Sequence, residues 1–262
     1  MNVAVQNASI FVEQQGAGQP TLFLHGNPDS SLMWQGVVGN MASHFRCIAP
    51  DLPGFGRSQL PENFDFQLED MAAFIGDLIS ALKISEPLNL VVHDFGGPYG
   101  LAWAVKHPSR VRRLAIMNTI FFSDYKWHFW GKVWRSRPWG ELSMSTMTWF
   151  AFHTSMKASN PKLPDAHIRR TYELFTPAVR RMVLRLYRAA DPQRFRGWEE
   201  RLIALIRRVP SCVLWGDRDA YVSPAYAERF GAERVWHFPE NGHWLPVEDP
   251  KTVAARLSEF LA

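Results

Sequence analysis

Short apolar runs, each closed by a turn-forming or polar residue, recur in the first half of the chain and again near its end. Thr21-Leu22-Phe23-Leu24 stops at His25-Gly26, Cys47-Ile48-Ala49 at Pro50, Asn89-Leu90-Val91-Val92 at His93-Asp94, and Leu114-Ala115-Ile116-Met117 at Asn118. Later come Cys212-Val213-Leu214-Trp215, closed by Gly216, and Val235-Trp236-His237. Runs this short and this apolar predict strands buried on both faces, as in a parallel sheet. Between them the apolar spacing turns helical. Leu68, Met71, Ile75, Leu78, Ile79 and Leu82 form one stripe, and Val253, Ala254, Leu257, Phe260 and Leu261 another. Asp249 is placed to cap that last helix, with Pro250 as its first residue. Alternating strands and helices predict an α/β fold with a mostly parallel central sheet flanked by helices.

Residues 120–208 break this rhythm. The stretch is rich in aromatics and arginine and reads as helices and loops that cover the sheet. Met182, Val183, Leu186 and Tyr187 make an apolar stripe, while Arg180, Arg181, Arg185 and Arg188 fall off it and are expected to form a solvated face. Five of the 11 tryptophans (Trp127, Trp130, Trp134, Trp139, Trp149) crowd into 23 residues of this part. The expected division is a core of residues 1–119 and 209–262, with a helical cap at 120–208.

Composition narrows the classes. A chain of 262 residues with 47% hydrophobic and 21% charged residues is an ordinary globular protein, large enough to bury a core without a metal or disulfide staple. Its two cysteines, Cys47 and Cys212, sit in predicted strands and read as reduced core thiols. A net charge of +4 without a basic–aromatic cluster argues against a nucleic-acid partner. No apolar run is long enough to span a membrane, and the first residues lack the pattern of a signal peptide, so a soluble cytoplasmic protein is expected.

The chemistry concentrates in Leu90-Val91-Val92-His93-Asp94-Phe95-Gly96-Gly97. A strand runs into a tight turn with a polar residue at its apex, then small residues, then a helix. Such a strand–turn–helix elbow presents one side chain at the sheet's C-terminal edge, and the helix N-terminus favours negative charge there. The residue presented is Asp94, a carboxylate that can bond to carbon. A base is available downstream in Gly242-His243-Trp244, and an orienting acid in Trp215-Gly216-Asp217-Arg218-Asp219, where Asp219 is preferred and Asp217 reads as a turn residue. His25 and His237 are expected to be structural. His25-Gly26-Asn27-Pro28 follows the first predicted apolar strand and offers the Asn27 N–H as an oxyanion donor, with the Phe95 N–H as the second.

Together with Asp51-Leu52-Pro53-Gly54-Phe55-Gly56-Arg57-Ser58, these motifs in this order resemble the α/β-hydrolase superfamily, in its haloalkane dehalogenase and epoxide hydrolase branch. The resemblance covers nearly the whole chain except 120–208, which corresponds to that family's variable cap after the sixth strand. It implies a carboxylate nucleophile that forms an alkyl-enzyme ester on Asp94. His243 would then activate a water to cleave the ester, with Asp219 orienting the ring and no metal or organic cofactor required. The implied substrate is a small neutral organic molecule, consumed with water, in a monomer or homodimer. Carbon–halogen cleavage is the first reading, because Asn27 resembles the halide-binding asparagine and cap tryptophans Trp130 and Trp134 could add an indole donor. Phe95, however, stands where dehalogenases carry tryptophan. Epoxide opening is the alternative, because Arg185-Leu186-Tyr187-Arg188 resembles an epoxide hydrolase cap with Tyr187 as acid, and Tyr125 or Tyr172 as a second tyrosine by position. Lactone or ester hydrolysis and a non-catalytic ligand-binding role are the remaining readings.

Overall fold

The computed structural model describes residues 1–262. Eight strands form one sheet: β1 (Asn2–Val5), β2 (Ala8–Gln15), β3 (Gln19–Leu24), β4 (Phe45–Pro50), β5 (Leu88–His93), β6 (Val111–Met117), β7 (Ser211–Gly216) and β8 (Arg234–Phe238). Their order across the sheet is β1-β2-β4-β3-β5-β6-β7-β8. From β4 to β8 every neighbouring pair is parallel, whereas β1–β2 and β2–β4 are antiparallel.

The central strands are apolar throughout because both their faces are covered. On β3 and β5, Leu22, Leu24, Leu90 and Val92 point into one core, while Phe23 and Val91 point into the other. The second core is closed by α1 (Gln35–Met41) and α11 (Pro250–Leu261), which pack on each other. Asp249 caps α11 by accepting from the Thr252 N–H, as its position in the sequence suggests. The first core is closed by α2 (Leu68–Ala81) and α3 (Gly96–Lys106). Each large apolar side chain removed from water in these layers contributes about 1.5–3 kcal/mol. Both free cysteines, on β4 and β7, are buried in the second core.

Between β6 and β7 the chain forms α4 (Phe129–Arg135), α5 (Trp139–Ser145), α6 (Trp149–Ser159), α7 (Asp165–Leu174), α8 (Pro177–Ala189) and α9 (Trp198–Ile206). α4, α5 and α8 pack on one another, as do α6 and α7, while α9 lies against α3 beside the sheet. A short α10 (Leu245–Glu248) precedes α11.

Three details differ from the sequence reading. β1 and β2 are not apolar runs; β2 alternates buried and half-buried residues, as an antiparallel strand with one solvated face must. β8 is an edge strand with only Phe238 buried, so its run is not covered on both faces. The arginines of α8 are not simply solvated. Arg180 donates to the carbonyls of Phe175 and Met144, Arg185 to that of Phe64, and Arg188 pairs with Glu141 at 2.8 Å, so three of them tie the helix to its surroundings.

Candidate active site

The turn between β5 and α3 holds Asp94 at φ +48°, a left-handed conformation that costs a non-glycine residue of order 1 kcal/mol or more. Its carbonyl is tied down by the Gly97 N–H at 2.9 Å and the Thr119 hydroxyl at 2.5 Å. Glycine is needed at position 26 because a Cβ there would run into the Asp94 carboxylate, and at position 96 because a Cβ would strike the Leu24 carbonyl. The strained turn thereby presses the Asp94 side chain against the loop after β3.

That loop meets the carboxylate directly. The Asn27 N–H donates to Asp94 Oδ1 at 2.7 Å, and the Phe95 N–H also supports the carboxylate. His25 braces the loop: the Leu52 N–H donates to its Nε2 at 2.8 Å, and its Nδ1 faces the Gly26 carbonyl at 2.8 Å. His243 reaches the site from the loop after β8, with Nε2 3.6 Å from Asp94 Oδ2 and Nδ1 2.7 Å from Asp219 Oδ2. Asp217, the competing acid, pairs instead with His237 at 2.6 Å.

Asp219 is saturated with donors. The N–H groups of Tyr221 and Val222 donate to Oδ1 at 2.7 and 3.0 Å, and the Asn118 amide to Oδ2 at 2.8 Å. Asn118 also bonds both the carbonyl and the N–H of Gly216, fixing the end of β6 to the end of β7. In the sequence Asn118 reads only as the residue that closes a strand. His93 steadies the other side by donating from Nε2 to the His243 carbonyl at 2.7 Å.

The electrostatics follow from this packing. Burial opposes charge on His243, but the carboxylates of Asp219 and Asp94 outweigh it and raise the imidazolium pKa to about 10. Burial likewise opposes charge on Asp94, yet hydrogen bonding and charge from His243 hold its carboxyl below the usual range. The resting site is therefore a carboxylate facing an imidazolium.

A cavity of about 60 Å³ opens above Asp94. That is room for a small molecule. Asn27, Phe95, Tyr125, Trp130, Trp134 and Tyr187 all line it, so most of the side chains singled out from the sequence as leaving-group candidates reach this wall. Tyr172 does not: it packs on Trp149 and Phe152, and its hydroxyl donates to the Met147 carbonyl at 3.4 Å. Trp139 is turned to solvent. Tyr125 donates to the Tyr221 carbonyl at 3.1 Å and so has spent its proton on the backbone. Tyr187 is held among Phe95, Trp127, His128 and Trp134, and its hydroxyl accepts from the Asn27 amide at 3.3 Å.

Several lining residues were not legible beforehand. Tyr221 stands over His243 with ring centroids 5.0 Å apart. His128 caps α4 by accepting from the Gly131 N–H at its Nδ1, which leaves the proton on Nε2. Burial lowers its pKa to about 4, against the opposing pull of Asp94, so the ring is neutral near pH 7. The indole N–H groups of Trp127 and Trp134 are buried without partners.

This arrangement sets a buried imidazole beside one oxygen of a carboxylate whose other oxygen accepts from the Asn27 N–H. Comparisons with known proteins agree with the fold. A family model described as alpha/beta hydrolase fold matches residues 19–250. Haloalkane dehalogenase 2 of Mycobacterium bovis is 27% identical over 261 residues, covering 94% of this chain and 88% of that protein. A cis-3-alkyl-4-alkyloxetan-2-one decarboxylase of Xanthomonas campestris pv. campestris is 32% identical over 168 residues, 59% of this chain and 55% of its own. Among solved structures, a putative ancestral haloalkane dehalogenase superposes with a TM-score of 0.80 at 27% identity, covering 100% of this chain and 99% of that one. With an eight-stranded sheet of the matching topology and a family match across most of its length, this chain is a member of the α/β-hydrolase family, an enzyme of the branch that contains the haloalkane dehalogenases.

Proposed function

We propose that the protein hydrolyses a small neutral electrophile through an alkyl-enzyme ester on Asp94, with His243 as base, Asp219 as its orienting acid, and residues 120–208 as the cap over the site. One observation carries this reading: Asp94 Oδ1 is held by the Asn27 N–H at 2.7 Å while Oδ2 stands 3.6 Å from His243 Nε2. The two carboxylate oxygens thus have different jobs. Oδ2 attacks an sp³ carbon, and Oδ1 becomes the ester carbonyl oxygen, already held by the Asn27 N–H, a donor that stabilises an oxyanion. Esterification removes the charge of Asp94, and with it one of the two carboxylates that keep His243 protonated. The ring then sheds its proton to solvent and takes one from a water whose oxygen attacks the ester carbonyl carbon. Collapse expels the alcohol oxygen, which receives the proton from His243, and returns Asp94 with one oxygen from water.

For the leaving atom, the donors around the cavity favour an epoxide oxygen. Tyr187 accepts from Asn27 and keeps its own proton free, and the Nε2–H of His128 lines the same cavity. Tyr187 can protonate the oxygen as the ring C–O bond breaks while the neutral His128 ring donates a hydrogen bond to it, giving a hydroxyalkyl ester; the Tyr187 phenolate regains a proton from solvent, and ester hydrolysis yields a vicinal diol. Halide displacement is the second reading. It is favoured by the unpartnered indole N–H groups of Trp127 and Trp134 and by the names of the relatives.

The test is His243→Gln mixed with styrene oxide, 1-bromobutane or a β-lactone and followed by intact mass. An epoxide adds its whole mass to the Asp94 peptide, whereas a bromide adds the alkyl group and releases bromide. A variant that gains no mass from any of them, while wild-type protein still turns one over, refutes the ester.

A further inference from the structure

Asp29 lies two residues beyond Asn27 and is buried to 2% exposure, yet it does not line the cavity. Its Oδ1 accepts from the Ser30 N–H at 2.8 Å, and its own N–H donates to the Gly26 carbonyl at 3.0 Å. Oδ2 accepts twice. His167 Nε2, from α7, donates at 2.6 Å, and Trp244 Nε1, from the residue after His243, donates at 2.9 Å. His167 and Trp244 are themselves 3% and 2% exposed. One oxygen atom therefore joins a helix between β6 and β7, the loop that supplies the Asn27 N–H, and the loop that supplies His243.

Such a junction is expensive to build. Burial alone disfavours charge on Asp29, but His167 and the Ser30 N–H more than offset it, so the carboxyl stays below its usual range. Removing one partner of a buried charged hydrogen bond leaves the other uncompensated, which is far costlier than losing a surface pair. The other side-chain bond between α7 and the β3–α1 region runs from Arg170 to Gln35 at 3.0 Å and is exposed. It can contribute little.

We propose that Asp29 is a positioning residue that couples the seating of α7 to the alignment of the Asn27 N–H and His243. With α7 in place, His167 and Trp244 pull one carboxylate oxygen between them. The loops on either side of Asp94 then share a fixed separation. Without His167 the carboxylate is free to turn away from Trp244, and the His243 loop loses its tie to the loop that carries Asn27, keeping its bonds to Asp219, Glu248 and His93. A misplacement of about 1 Å at reacting groups costs about 100-fold in rate. The proposal rests on the Asp94–His243 mechanism above.

The experiment compares the full-length chain with Asp29→Asn, His167→Leu, His167→Gln and the double variant Asp29→Asn/His167→Leu. Single-turnover alkylation and ester-hydrolysis rates are measured with saturating styrene oxide and with saturating 1-bromobutane, well below each melting temperature. In parallel, the low-field proton signal of the His243 Nδ1–H bonded to Asp219 is recorded without substrate. Asp29→Asn and His167→Leu should each slow both chemical steps about 10- to 100-fold with little change in KM. The double variant should be no slower than the worse single one. His167→Gln, which keeps a donor, should recover most of the rate. The low-field signal should move or broaden in the two damaging variants and return in His167→Gln. Lowered melting temperatures with unchanged rates and an unchanged signal would show a purely structural contact and overturn the proposal. If wild-type protein alkylates with no substrate, the mechanism fails on its own account, and the low-field signal alone decides the coupling.

Discussion

The charge of Asp94 helps Asp219 hold a proton on His243, and the strength of the Asp94 share follows from one distance. With Nε2 and Oδ2 3.6 Å apart, Coulomb's law at an effective dielectric of about 20 gives about 4.6 kcal/mol, or roughly three powers of ten in proton affinity. Asp94→Asn removes the charge and keeps the shape, and so mimics the electrostatics of the ester. In the wild-type protein the His243 imidazolium should persist until about pH 10, because Asp219 and Asp94 outweigh the opposing effect of burial. In Asp94→Asn the deprotonation midpoint should fall by about three on the pH scale. Imidazole nitrogen chemical shifts followed through a pH titration report this directly. The direction matters for catalysis: His243 cannot be a base while protonated, so ester hydrolysis should accelerate with rising pH through a midpoint below that of the resting enzyme. Equal midpoints in the two proteins would mean that alkylation does not release the base, and the proposed ordering of steps would fall.

Other substitutions probe separate parts of the site. Asn118→Ala removes the amide that bonds Asp219 and both polar groups of Gly216; it should cost about 1–3 kcal/mol in denaturant melts and slow ester hydrolysis about 10- to 100-fold while sparing alkylation. Gly26→Ala places a methyl group inside the Asp94 carboxylate, so the protein should fold but alkylate at least about 100-fold more slowly in a stopped mass assay. Tyr187→Phe should reduce epoxide opening by about 10²- to 10⁴-fold yet leave bromide release unaffected; equal loss on both substrates would remove Tyr187 as the acid.

The family's motifs are local, which is why so much of the core could be read directly. Leu90 to Gly97 encodes a buried strand, a turn and a helix start within eight residues, and the bend at Asp94 follows from them. The apolar runs likewise announced the parallel strands, because a strand covered on both faces needs no polar alternation. β1 and β2 escaped that search since one side of each meets solvent and the polar residues on it dilute the signal. The spacing of Asp217 and Asp219 could not separate the two acids. Only the path of the chain after β7 does so, sending one toward His237 and the other to His243. The cavity wall is the least local feature of all. His128, Tyr187 and Tyr221 come from three distant segments, and their meeting depends on how helices between β6 and β7 pack over the sheet. The same holds for the proton on His128 Nε2, fixed by a backbone N–H three residues away once α4 forms, and for Asp29, whose partners lie 138 and 215 residues farther along. Sequence alone determined which groups are available and which turn presents the carboxylate, since backbone conformation and apolar period act over a few residues. Tertiary packing decided which donors face it, because hydrogen bonds and charges act over a few ångströms of space whatever their separation along the chain.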